Sequence, residues 1–219
     1  MKKILRHSRW AFAFVAFLFC AHAGAEVENL FDRVARSPQE IRPLLLGEPV
    51  PDVILKTIDG KPFHLSAALR KKPTVLIFYR GGWCAYCTAQ LGQLQTIEDK
   101  LLAMGYQIIA ISPDRPEKLK ESAEQSKLHY RLLSDSNAEA MTAMGIAYRV
   151  DEATVRRWKE EDKIDLEADS GERHHILPVP AAFVVDRFGR INFSYVNPDY
   201  KVRVNTDLLL DAAKAAVRQ

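Results

Sequence analysis

The chain has 219 residues, a formal net charge of +3, and 47% hydrophobic against 27% charged residues. That balance supports a buried core and excludes a disordered chain. Acids and bases are interspersed, and no long Lys/Arg block follows the first ten residues, so nothing marks a nucleic-acid-binding surface.

The first 25 residues read as a signal peptide. Met1 to Arg9 is basic, Trp10 to Cys20 is an unbroken apolar run, and Ala23-Gly24-Ala25 places small residues where a signal peptidase cuts. The expectation is an exported, periplasmic protein. The alternative is an uncleaved membrane anchor over residues 10–21, although the apolar run falls short of the ~20 residues of a comfortable span. A lipid-modified Cys20 is disfavoured because Phe19, not a small residue, precedes it. Membrane contact is expected only through this segment.

Residues 26–46 predict a helical extension, with Val27, Leu30, Phe31 and Val34 at helical spacing and Pro38 and Pro43 ending the pattern. One domain follows over 47–219. Asp59-Gly60 predicts a hairpin between Val53-Ile54-Leu55 and Lys61 to Leu65. Ser66 can cap a short helix through Leu69. Thr74 to Tyr79 is apolar on both faces, as a central strand is. After Gly81-Gly82 comes a long helix bearing Leu91, Leu94, Ile97, Leu101 and Leu102. Gln107 to Ser112 predicts a second buried strand, Pro113 to Lys127 a polar helix and loop, Arg131 to Asp135 a short strand and turn, and Asn137 to Met144 a short helix. Residues 151–174 are densely charged around a solitary Trp158 and predict a surface insertion with a helix near Thr154 to Glu161. Ala181 to Val185 and Ile191 to Tyr195 form a terminal hairpin, and Val204 to Val217 an amphipathic helix. This order predicts an α/β fold, a central mixed β-sheet with helices on both faces.

Three cysteines are present. Cleavage after Ala25 would leave Cys84 and Cys87, spaced C-x-x-C. A bond across two residues closes too small a loop to stabilise much through chain entropy, so the pair reads as redox-active rather than structural. Its context, Tyr79-Arg80-Gly81-Gly82-Trp83-Cys84-Ala85-Tyr86-Cys87, lies between a buried strand and a helix. Free N–H groups at a helix start stabilise a thiolate, and the thiolate is the reactive form. Arg80 adds positive charge; Trp83 and Tyr86 offer apolar surface to a partner. Before the last core strand, Pro180 in Leu177-Pro178-Val179-Pro180 reads first as an ordinary loop proline; if the Val179–Pro180 bond is cis, it forms instead a fixed turn that can lie against the cysteines and expose a backbone edge to a partner. The competing chemistry is metal binding, with Cys84 and Cys87 joined by His64, His174 or His175 as a copper or zinc carrier.

Residues 47–219 resemble the peroxiredoxin-like branch of the thioredoxin superfamily, the alkyl hydroperoxide reductase/thiol-specific antioxidant group. The resemblance is carried by Gly47 to Asp52, Phe78 to Cys87 and Pro180 to Asp186. It implies a thioredoxin-like fold, a Cys84–Cys87 disulfide in the oxidised state, no cofactor, and a thioredoxin-like reductant. Aligned to the family's P-x-x-x-T-x-x-C motif, the peroxide-attacking cysteine falls on Cys87, the threonine on Cys84 and the proline on Arg80. The family's supporting arginine falls near Pro180, and Arg80 is a candidate replacement for it. Two thiol readings follow. In the first, Cys84 attacks protein disulfides and Cys87 resolves. In the second, Cys87 reduces hydroperoxides and Cys84 resolves.

Overall fold

The computed structural model describes residues 33–217. The expected signal segment 1–25 and residues 26–32 of the predicted extension lie outside the described residues. Over the rest of that extension, residues 33–46, the chain is not α-helical. It makes a 3-10 turn at Pro38–Glu40 amid irregular backbone. Backbone bonds explain the difference. Ala35 N–H donates to Ala147 C=O, Arg42 N–H to Gly145 C=O and Leu44 N–H to Met144 C=O, so tertiary pairing replaces the intrahelical ladder. Among the described residues no helix is long and apolar enough to cross a membrane.

The sheet is built around β3 (Thr74–Phe78), whose five residues are all buried. Alternate side chains point to opposite faces of a strand. Val75 and Ile77, with Tyr79 beyond the strand end, enter one core, while Leu76 and Phe78 enter the other. β3 pairs in parallel with β4 (Gln107–Ser112) and antiparallel with β8 (Ala181–Val185). Seven strands run in the order β2-β1-β5-β4-β3-β8-β9, with β1 at Ile54–Thr57, β2 at Pro62–His64, β5 at Arg131–Ser134 and β9 at Ile191–Val196. Parallel and antiparallel ladders coexist, so the sheet is mixed, as expected. The Asp59-Gly60 hairpin is present, with Leu55 opposite Phe63.

Each face carries its own core. On one side α2 (Ala85–Ala103) buries Cys87, Gln90, Leu91, Leu94, Ile97 and Leu101 at helical spacing. α3 (Pro116–Ser126) and α7 (Thr206–Val217) complete that layer. Leu102, expected inside, is exposed because it falls off this stripe. On the other side lie α1 (Leu65–Lys71), which starts one residue before the expected Ser66 cap, and α4 (Glu139–Ala143). With them packs a two-stranded ribbon of β6 (Ala147–Arg149) and β7 (Ile176–Pro178) that has no counterpart among the sequence expectations. Three residues per strand are too few to show alternation. The insertion forms α5 (Glu152–Arg157), a π-helical turn at Trp158–Asp162, and α6 (Leu166–Ser170).

Phe78 and Phe183 meet edge-to-face across β3 and β8, ring centroids 6.2 Å apart, both fully buried. Phe183→Ala removes this contact at the centre of the sheet. It is expected to cost about 3–5 kcal/mol, read as a lowered denaturation midpoint at unchanged slope in a urea titration.

Candidate active site

β3 delivers the redox loop to the start of α2. Tyr79 N–H still donates to Ile111 C=O, so the loop leaves the sheet only at Arg80. The turn requires its two glycines. Gly81 has φ +150°, where a Cβ would collide with the Trp83 indole and the Asp114 carboxylate; a Cβ on Gly82 would collide with Ser122 Oγ. Asp114, fully buried at the end of β4, accepts from Gly82 N–H at 2.8 Å and from Ser112 Oγ–H at 3.0 Å, tying the loop to the neighbouring strand. Burial pushes the Asp114 carboxyl up to about 7 despite these donors.

Cys84 is the N-cap of α2 and Cys87 lies in its first turn. Both are free thiols, the reduced half of the expected disulfide cycle, with 4% and 0% of their surface exposed. Their acidities diverge. A hydrogen bond from the Cys87 thiol, opposed by burial and helped by the Cys87 N–H and the charges of Arg80 and Arg203, brings Cys84 down to about 6. Burial first, and then the Cys84 neighbour, drive Cys87 well above an ordinary thiol. Interacting thiols titrate as a pair, and in this pair the thiolate belongs to Cys84.

The cation that reaches the sulfurs is Arg203, which the sequence reading missed. Its Nη2–H donates to Cys87 Sγ at 3.2 Å and to Cys84 Sγ at 3.8 Å. Its Nε and Nη1 are buried without acceptors. Arg203 lies between β9 and α7, in a stretch with no motif to mark it. Arg80 does not take this role. It is 3% exposed, and its guanidinium lies over the rings of Tyr200 at 4.2 Å and of Trp83 and Trp158 at 4.9 Å. Trp83 therefore packs inward, 6.0 Å from Trp158. Tyr86 stays exposed and meets Tyr200 edge-to-face at 5.8 Å.

Two of the alternatives left open by the sequence meet the geometry here. The Val179–Pro180 bond is trans, since the described residues contain no cis peptide. Pro180 does sit beside the loop, because the next residue, Ala181, pairs with Phe78. Yet its carbonyl accepts from Asn197 N–H, and Val179 N–H donates to Ile146 C=O, so this edge is already occupied. The metal-carrier reading also lacks a ligand set: no cluster of three His, Cys, Asp or Glu suited to a metal occurs among the described residues. His174 bonds Ser136 C=O and Ile176 N–H, and His175 lies between Glu152 and Glu167, which occupies the ring nitrogens of both.

The AhpC/TSA family profile matches residues 46–194. The chain belongs to the AhpC/TSA family. It is 26% identical to peroxiredoxin Bcp of Escherichia coli K12 over 174 residues, covering 80% of this chain and 98% of that protein. A second relative, the putative peroxiredoxin bcp of Haemophilus influenzae, is 30% identical over 48% of this chain and 68% of its own. Among solved structures, reduced Prx3 of Vibrio vulnificus in complex with H2O2 superposes with a TM-score of 0.65 at 16% identity, covering 80% of this chain and 99% of that one. Peroxidoxin BcpB of Mycobacterium tuberculosis superposes at 0.60 with 21% identity, covering 79% and 96%. The fold is thioredoxin-like, and the protein is a thiol-dependent oxidoreductase of the peroxiredoxin-like kind.

The acidity order gives two predictions. Alkylation of Cys84 by iodoacetamide should plateau above a midpoint near pH 6 and fall about tenfold per unit below it, as the thiolate is protonated. Cys87→Ala removes the thiol donor and should move that midpoint up. Asp114 titrates at about 7 when folded against an ordinary 3.8. Its contribution to stability is therefore fully present below about pH 4 and is lost as pH rises through about 7. Asp114→Asn keeps an acceptor for Gly82 N–H and should flatten the pH dependence of the unfolding midpoint across that window. Part of the slope will remain, because buried Asp135 is also raised to about 7.

Proposed function

We propose that this protein is an exported thiol peroxidase that reduces hydroperoxides through Cys84 and Cys87 and is itself reduced by a thioredoxin-like protein. The observation that carries the proposal is the Arg203 guanidinium donating to both buried sulfurs. Peroxide reduction needs fixed donors where charge shifts from sulfur to the departing oxygen. The P-x-x-x-T-x-x-C pattern loses its threonine and proline here, and the arginine near Pro180 is missing. A guanidinium arriving from beyond β9 restores donors at the sulfurs.

The chemistry balances on the pair alone. A thiolate attacks one peroxide oxygen, the O–O bond breaks, and the other oxygen leaves as alcohol or water after taking a proton. The resulting sulfenic acid condenses with the second thiol, releasing water and forming the Cys84–Cys87 disulfide. A dithiol reductant then restores both thiols by exchange. On acidity the attack falls to Cys84. On the family motif the peroxide-attacking position is Cys87, the sulfur nearer Arg203.

A second reading, disulfide exchange with periplasmic proteins, is favoured by one observation. The thiolate-bearing Cys84 lies beside exposed Tyr86 and Tyr200, an apolar surface for a partner backbone. Export rests on the N-terminal pattern of basic, apolar and small residues; the mass of the mature N-terminus tests it.

The deciding experiment follows tryptophan fluorescence when the reduced protein meets hydrogen peroxide in stopped flow, with thiol loss measured in parallel. Thiol loss far faster than for free cysteine is expected, with one oxidation equivalent consumed per pair. In Cys84→Ser and Cys87→Ser the variant that keeps the fast first step retains the attacking sulfur, and neither forms the disulfide. A rate no faster than a free thiol overturns the peroxidase proposal and leaves disulfide exchange.

A further inference from the structure

The insertion 151–174 is not used by the chemistry above, yet it sends one side chain into the site. Trp158 stands among exposed Lys159, Glu160 and Glu161 but is itself half-buried, packed against the core and against Trp83. Its placement is over-determined. Asp151 caps α5 by accepting from Thr154 N–H at 2.9 Å. The helix then widens into a π-turn that begins at Trp158, and Ile164 N–H returns to the Trp158 carbonyl. Lys159 pairs with Asp165 at 2.8 Å. His175, on the body of the fold, reaches Glu152 at 3.2 Å and Glu167 at 3.1 Å, one contact on each helix of the insertion. Arg115 N–H also donates to Asp169 C=O. π-turns inside helices concentrate at functional sites, and this one sets the direction of a single indole.

That indole faces Arg80. Three rings surround the guanidinium: Trp83 from the redox loop, Tyr200 from the segment after β9, and Trp158 from the insertion. Arg80 is buried, its Nε has no acceptor, and among the described residues it forms no ion pair; besides the two cysteines, the titratable group facing it is the Tyr148 hydroxyl of β6. A buried cation without a carboxylate must be held by other means, and aromatic faces hold guanidinium through their negative quadrupole.

We propose that Trp158 is a positioning residue of the redox site, closing an aromatic box that fixes the Arg80 guanidinium beside the cysteine pair. The proposal rests on Cys84–Cys87 being the reacting pair. Trp158 touches no reacting atom. It acts through Arg80, whose charge favours the Cys84 thiolate. A carboxylate in its place would neutralise that charge; a ring holds Arg80 and leaves the charge unpaired.

The test is the pH profile of iodoacetamide alkylation of Cys84, which does not depend on peroxide turnover. Arg80→Gln should raise the midpoint. Trp158→Ala should raise it by about half a unit to one unit, part of the one to three units an opposite charge a few ångströms away contributes. Trp158→Phe should restore it. In the Arg80→Gln background Trp158→Ala should add nothing, because residues acting through one another are not additive. A folded Trp158→Ala with the wild-type midpoint overturns the proposal, and so does an equal further shift in the Arg80→Gln background. Trp158→Leu, which fills space without a π face, carries the same comparison should the alanine variant not fold. A protein inert to peroxide that still shows these shifts sinks the peroxidase reading and upholds this one.

Discussion

Arg203 reaches two buried sulfurs with a single nitrogen, and among the described residues no carboxylate pairs with it or with Arg80. Taking two cations out of water is costly unless something nearby carries negative charge. The groups suited to carry it here are the thiols. Ionising one of them relieves the cations and is in turn favoured by them, so the reactive form of the site and the stable form of its surroundings coincide. The α2 N-terminus adds its free N–H groups to the same end. Low exposure strengthens each of these terms, since the water that would screen them is largely excluded.

The division of labour between the two cysteines follows from depth. Cys84 caps the helix and Cys87 begins its buried stripe, three residues on and on the same face as Leu91 and Leu94. Burial penalises the charged form more for the deeper group. One thiol therefore becomes the donor that stabilises the other as an anion. An uncharged second thiol held against the first is also what condensation with a sulfenic acid requires, so the arrangement that sets acidity also prepares the disulfide.

The sheet was legible in the sequence because its strands are extreme. Thr74 to Phe78 and Ala181 to Val185 are apolar on both faces, which few structures other than a covered central strand accept. The C-x-x-C pair was legible because its spacing and strand-to-helix setting are local. What escaped shares a different property: it depends on residues distant in the chain. Arg203 is one arginine among many until β9 and α7 carry its segment over the α2 N-terminus. Trp158 stood out as a lone aromatic, but its direction is set by a π-turn and by His175, neither of which has a periodic signature. Pro180 lies next to Ala181, which pairs with Phe78, but the partners of this edge, Asn197 and Ile146, are ones that spacing does not reveal.

These distant contributions make the site a meeting of three chain segments rather than a motif on one. A C-x-x-C at a helix start is enough for a reactive thiol. The remainder of this site draws on distant segments: the Arg203 guanidinium at the sulfurs and the Tyr200 ring come from the segment after β9, and the Trp158 ring that helps box Arg80 comes from the insertion. Replacing the motif's proline by Arg80 adds a charge that the loop itself has no acidic residue to balance. The aromatic side chains that meet Arg80 answer that change. On the proposed role of Trp158, the residues at positions 80 and 84 and the aromatic residues at 158 and 200 are parts of one electrostatic arrangement. Restoring the motif's proline at position 80 alone would leave the box without an occupant and Cys84 without one of its two cations, rather than returning the site to the family form.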